Sequence, residues 1–114
     1  WAATRADVGA EFDAPVLLPI DIGGSAGAPS LSSDGLELFF NGVVGAESSD
    51  IWVATRQSTA APFADPERVD ELNSADADFG IEITGDGATL YLTSNRPGGV
   101  GNDDIYFATR SCSR

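Results

Sequence analysis

Carboxylates are almost the only reactive side chains in this sequence. It carries 18 Asp and Glu, six basic residues that are all Arg, one Cys and no His. Without imidazole there is no Ser-His-Asp arrangement, no histidine base near neutral pH and no histidine metal ligand. A lone Cys112 cannot close an internal disulfide, and zinc sites need several Cys or His. Phosphate cradles of the GxxxxGK[ST] or GxGxxG kind are missing. What remains is carboxylate chemistry. Paired acids could work as in a glycosidase, but they need two carboxyls held about 5–10 Å apart across a pocket, one with a raised pKa. The sequence singles out no such pair among its acids, so the expectation is a protein without catalytic residues. Asp76-x-Asp78 could hold Ca²⁺ weakly, although no Gly and Glu follow at the EF-hand positions. No other metal or cofactor is expected.

The charge is one-sided, with a formal net of −12. Nucleic acid would be repelled over most of such a surface, and so would an anionic membrane. The acidity serves either plain solubility or a basic or cationic partner. No apolar run approaches the ~20 residues that cross a bilayer as a helix, so membrane insertion is not expected. The chain opens at Trp1 with no Met, basic stretch or apolar core of a leader. That start predicts either a removed targeting segment or a piece of something longer.

The elements that would position any site come from an internal repeat, sought first because missing one misreads the whole fold. Asp50-Ile51-Trp52-Val53-Ala54-Thr55-Arg56 returns as Asp104-Ile105-Tyr106-Phe107-Ala108-Thr109-Arg110, and in shortened form as Trp1-Ala2-Ala3-Thr4-Arg5. Phe12-x-x-Pro15 returns as Phe63-x-x-Pro66, and Ser32-Ser33-Asp34-Gly35-x-x-Leu38-Phe39 as Thr84-Gly85-Asp86-Gly87-x-x-Leu90-Tyr91. Each landmark moves by about fifty positions, in one order. Asp-Gly between apolar runs signals a hairpin, because the turn needs a positive φ that Gly adopts freely. Paired strands are therefore predicted at 29–32 with 36–41 and at 79–84 with 89–94. The β-branched and aromatic runs 51–55 and 105–109 read as third strands. Short polar fourth strands fit 16–18 and 67–69, so that 15–55 and 66–109 should superpose as two similar four-stranded sheets. Phe39, Phe40, Trp52, Tyr91 and Tyr106 are expected to be mostly buried. The fold class is all-β: four-stranded antiparallel sheets of the kind that form propeller blades, about two repeats, an incomplete propeller. The segment spans 1–114, with repeat 1 about 1–51, repeat 2 about 52–105, and a further or closing strand at 106–110.

The pattern P-x-L-S-x-D-G-x-x-L-x-F, a Gly-rich loop, then D-I-[WY]-x-A-T-R resembles the WD40-like β-propeller repeat of the TolB type. Residues 29–40 and 50–56 carry the likeness. It returns in 85–92, in Ser94-Asn95-Arg96-Pro97-Gly98-Gly99 and in 104–110, so only 111–114 fall outside it. The second copy departs from the first in having Ile81 where the first has Pro29. The resemblance implies a bacterial, extracytoplasmic setting: periplasmic, outer-membrane-associated or secreted. It also implies a larger binding or envelope protein, and it brings no catalytic motif.

Consecutive antiparallel strands put alternate connections at opposite ends. The tight Asp-Gly hairpins take one end, and the longer loops 19–28, 42–50, 70–78 and 95–104 take the other. Function favours long loops on a rigid frame. Asn73, Asp76, Asp78, Asn95, Arg96, Asn102 and Asp103 are therefore the candidate ligand-binding residues, ordinary loop hydrogen bonding being the alternative for each. Asp34, Asp86, Asp50 and Asp104 recur in both copies, which favours turns and strand starts. Arg5, Arg56 and Arg110 also recur, as surface cover paired with a carboxylate. The function expected is a non-catalytic scaffold for a protein or glycan partner, with self-association or further blades possible. The alternative is an accessory propeller segment of an enzyme such as a glycoside hydrolase or peptidase.

Overall fold

The structure is a computed structural model and describes residues 1–111; the reading of Cys112 lies outside them. Seven strands run in order: β1 (Ser25–Leu31), β2 (Glu37–Val43), β3 (Asp50–Thr55), β4 (Ala64–Arg68), β5 (Asp78–Ile83), β6 (Thr89–Ser94) and β7 (Asp104–Thr109). They make two antiparallel sheets, β1-β2-β3-β4 and β5-β6-β7, each with neighbours in sequence as neighbours in space. The chain is all-β, as the alternation of short apolar runs and turns requires. It closes no ring.

The repeat reappears bond for bond at the hairpin end. Asp34 Oδ1 accepts from Ser32 Oγ at 2.7 Å and from Leu36 N at 3.0 Å; Asp86 Oδ1 accepts from Thr84 Oγ1 at 2.6 Å and from Ala88 N at 3.0 Å. Gly35 and Gly87 sit at φ +76° and +71°, where a side chain would be strained. Arg56 Nε donates to Gly35 O at 2.6 Å and Arg110 Nε to Gly87 O at 2.7 Å. Both first strands carry a bulge, at Ala28 (φ +47°) and at Gly80 (φ +62°). Arg5 lies 4.5 Å from the Phe12 ring and Arg56 4.2 Å from the Phe63 ring.

Three expectations need correction. Residues 16–18 form no strand: Val16 makes an isolated bridge to Ala2. The strand expected at 67–69 and grouped with 79–109 forms as Ala64–Arg68 and pairs with β3, so it completes the first sheet instead of the second. The second sheet has three strands among the described residues, not four.

Both faces of the first sheet are covered. Phe39 and Ile51 meet Ile81, Ile83, Leu90 and Leu92 of the second sheet, with Val53, Val69, Leu72 and Tyr106 around them. On the opposite face Leu38, Phe40, Ala54 and Phe63 lie under Leu18, Ile20, Ile22 and Trp52. Gly42 permits that cover, since a Cβ there would run into Ile22 and Trp52. Between the sheets Ile83 N donates to Ser30 Oγ at 3.0 Å, both residues buried, and at the more exposed hairpin end Arg110 Nη2 donates to Glu37 Oε1 at 2.6 Å.

The aromatic residues divide accordingly. Phe39 and Phe40 are 4% and 3% exposed, while Trp52 and Tyr106 are half-buried. Tyr91 is 45% exposed, contrary to expectation. It occupies the repeat position of Phe39, but among the described residues no second layer covers its side of the second sheet. Truncation should expose the difference. Phe39→Ala should destabilise by about 3–5 kcal/mol in urea melts of dilute protein, as buried aromatic truncations do. Tyr91→Ala should stay within about 1 kcal/mol. Equal losses at the two positions would mean that Tyr91's face is covered.

Candidate functional site

At the end opposite the Asp-Gly hairpins, the connections β2–β3, β4–β5 and β6–β7 come together. They run over residues 44–49, 69–77 and 95–103. Two arrangements form there: a buried polar cluster and an open groove beside it.

The cluster centres on Asp78, the first residue of β5, whose side chain is fully buried. Its Oδ1 accepts from Ser94 Oγ at 2.7 Å and from Arg96 Nη2 at 2.8 Å, and Oδ2 accepts from Ser74 N at 2.8 Å. The Ser74 hydroxyl lies within 3.1 Å of both oxygens. Arg96 completes its own set on Ser94 Oγ (3.0 Å) and Leu72 O (2.7 Å), and lies over Tyr106 at 5.2 Å. Burial alone would raise the Asp78 pKa, but bonds from Ser74, Ser94 and Arg96 outweigh it and hold the carboxyl below its ordinary value. A buried charge is tolerable only when neutralised and hydrogen-bonded in this way.

Asn73 clamps the backbone of Ile51, its Oδ1 accepting from Ile51 N at 2.7 Å and its Nδ2 donating to Ile51 O at 3.1 Å. Asn95 Oδ1 accepts from Ala77 N at 2.9 Å. Asp76 is half-buried in the turn before β5, and its amide donates to Ser74 Oγ at 3.2 Å. Asn102 and Asp103 are exposed on the β6–β7 connection. Thus Asp78 and Arg96 touch directly, whereas Asn73 and Asn95 pin neighbouring backbone. The pair proposed for Ca²⁺ separates in character. Asp78 is turned inward and already neutralised by Arg96, which leaves Asp76 without a second carboxylate from that pair. No group of three or more acidic or Cys side chains suited to a metal gathers among the described residues.

The groove is an open, polar depression of about 500 Å³, lined by Ala46, Glu47, Ser48, Asp50, Arg68, Ser74 and Ala75. Arg68 bridges its walls: Nη2 pairs with Glu47, Nε lies 3.3 Å from Asp50 Oδ2, and the guanidinium lies 5.0 Å from the Trp52 ring. Asp50 is raised from its ordinary pKa by burial. Arg68 opposes that rise, and the nearby Asp78, Glu47 and Asp70 reinforce it. Ser74 belongs to both arrangements, with one side in the groove and its hydroxyl on the buried Asp78. The groove therefore presents acceptors, one guanidinium and hydroxyls, a set suited to reversible hydrogen bonding and charge pairing.

Glu47, Asp50, Arg68 and Ser74 were not among the candidates read from the sequence. Asp50 recurs as Asp104 and so resembled a strand start. Arg68 was detectable: its counterpart 51 positions earlier is Leu17, so it breaks the repeat.

No family profile matches the chain, nor does any curated protein or solved structure.

The cluster sets a pH dependence. Because the folded pKa of Asp78 is lowered, its stabilisation is complete above the unfolded value near 3.9. It is lost as pH falls through the folded value. Asp78→Asn should destabilise by about 3–5 kcal/mol at pH 7, leaving Arg96 without its counter-charge. In urea melts from pH 7 down to about 3, the gap between variant and wild type should narrow only below about pH 4. A gap independent of pH would mean that the carboxylate charge is not what matters.

Proposed function

We propose that the two sheets are blades of a β-propeller and that the chain is a non-catalytic recognition scaffold for a protein or glycan partner. The likeness to TolB-type repeats further suggests an extracytoplasmic setting in a larger binding protein. The observation that carries the reading is the Glu47–Asp50–Arg68–Ser74 groove. It lies at the long-loop end, on a floor held by the buried Asp78 cluster. Rigid support beneath adaptable polar groups limits the ordering that binding would otherwise require. Bond-for-bond recurrence of the Asp-Gly corners supports the blade reading, as does the stacking of one sheet on the next.

Charge narrows the partner. The groove holds two carboxylates against one guanidinium, in a chain of net charge −12. It favours a neutral or basic peptide segment of a protein over an anionic glycan. Calorimetric titration with basic peptides, neutral peptides and neutral oligosaccharides tests this. At least one basic peptide should bind, and Arg68→Ala or Ser74→Trp should change its affinity by about tenfold or more, ~1.4 kcal/mol. Thr59→Ala, at the hairpin end, should leave it unchanged. Binding that ignores the groove variants, or none with any probe, would refute the reading.

A further inference from the structure

Residues 1–17 repeat, 51 positions earlier, the pairing of β3 with β4. The bridge between Ala2 and Val16 is the counterpart of Val53 with Glu67. Arg5 lies over Phe12 as Arg56 lies over Phe63. Leu18 and Ile20 then cover the first sheet much as Val69 and Leu72 cover the second. Residues 12–17 therefore have the build of a fourth strand with its aromatic anchor, but the strand beside them is a poor one. Trp1, Phe12, Val16 and Leu17 are 76%, 60%, 66% and 64% exposed.

The second sheet has the converse defect. Among the described residues β7 has no strand on its far side. In the first sheet Phe63 packs with Leu38 and Ala54 under Arg56. The same repeat positions in the second sheet, Leu90, Ala108 and Arg110, line an apolar groove of about 100 Å³, with Val69 and Leu72 opposite. On the sheet's outer face Tyr91, Ile105 and Phe107 are 45%, 79% and 68% exposed. They are the counterparts of Phe39, Ile51 and Val53, which another sheet covers.

We propose that these defects are complementary. β7 of one molecule pairs with residues 13–17 of a second, whose Phe12 enters the groove of Leu90, Ala108 and Arg110 and whose own residues 1–5 are displaced. The occupant is a second copy of this chain because the chain carries the matching segment. Phe12-x-x-Pro15 repeats Phe63-x-x-Pro66, and Ala3-Thr4-Arg5 is identical to Ala108-Thr109-Arg110. The incoming β7 thus offers Phe12 the same arginine on which it already stacks. In the same docking Tyr91, Ile105 and Phe107 descend on the second molecule's Leu31. That residue is 50% exposed and is the counterpart of the buried Ile83. A molecule's own residues 12–17 cannot serve, because Leu18, Ile20 and Ile22 fasten them to the face of the first sheet turned away from the second. The two surfaces differ, so association runs head to tail and either closes a ring or continues as a filament. This inference stands on the internal repeat and is independent of peptide binding at the polar groove.

Sedimentation velocity over a concentration series tests it. Phe12→Ala removes the anchor and Phe107→Asp spoils the receiving face; both residues are exposed, and circular dichroism checks that each variant is folded. Wild type should sediment faster as concentration rises, and each variant alone should remain monomeric. Mixed in equal amounts, the two should form a 1:1 complex, since each retains the surface that the other lost. Ala2→Pro removes the bond from Ala2 N to Val16 O at 2.7 Å. By weakening the displaced strand, it should lower the concentration at which association sets in by about tenfold. The proposal is overturned if wild type and Ala2→Pro both stay monomeric at millimolar concentration. It is equally overturned if either single-surface variant associates alone as well as wild type, which would place the contact elsewhere on the molecule.

Discussion

Leu38, Phe39 and Phe40 are consecutive, and consecutive side chains of a strand leave opposite faces, so β2 cannot be satisfied by one covering layer. All three are buried. The rest of the architecture answers that demand. The second sheet closes over the Phe39 side, and the segment carrying Leu18, Ile20 and Ile22 closes over the Leu38 and Phe40 side. A sheet sandwiched on both faces also explains why β2 reads as a nearly continuous apolar run, a pattern more usual in parallel sheets than in antiparallel ones.

The two copies share their hairpin corners and differ at the opposite end. Where the second copy has Asp78 and Ser94, paired across β5 and β6, the first has Ala26 and Gly42, paired across β1 and β2. The first copy therefore fills its loop end with Ile22 and Trp52. The second fills it with a neutralised carboxylate, and that polar cluster supports Ser74 at the edge of the groove. The polar site stands where the two sheets differ, on a frame whose hairpin ends match.

Local chemistry was legible from the residues alone. Asp34-Gly35 and Asp86-Gly87 mark hairpins wherever they occur, because the left-handed Gly and the short acceptor act within four residues. The runs that became β3 and β7 were equally plain. What could not be read depends on neighbours distant in sequence. Tyr91 and Phe39 share a repeat position, yet one is exposed and the other buried, because only Phe39 has a sheet in front of it. The inward turn of Asp78 depends on Ser74 and Arg96, which lie on different connections. Arg68 meets Glu47 only because β4 returns beside β3. Residues 16–18 resemble 67–69 in sequence, but a strand needs a ladder beside it, and Val16 meets Ala2 in a single bridge.

The bond from Ile83 N to Ser30 Oγ has a consequence for uniqueness. Rows of apolar side chains facing one another at a two-residue period can slide by one period, about 7 Å, and bury nearly the same area. Hydrophobic contact alone leaves such offsets almost degenerate. A directional bond within the interface does not: any slip would leave an amide and a hydroxyl dry and unpaired. Ser30 thus acts as a vernier mark between β1 and β5, selecting one alignment from a ladder of near-equivalent ones.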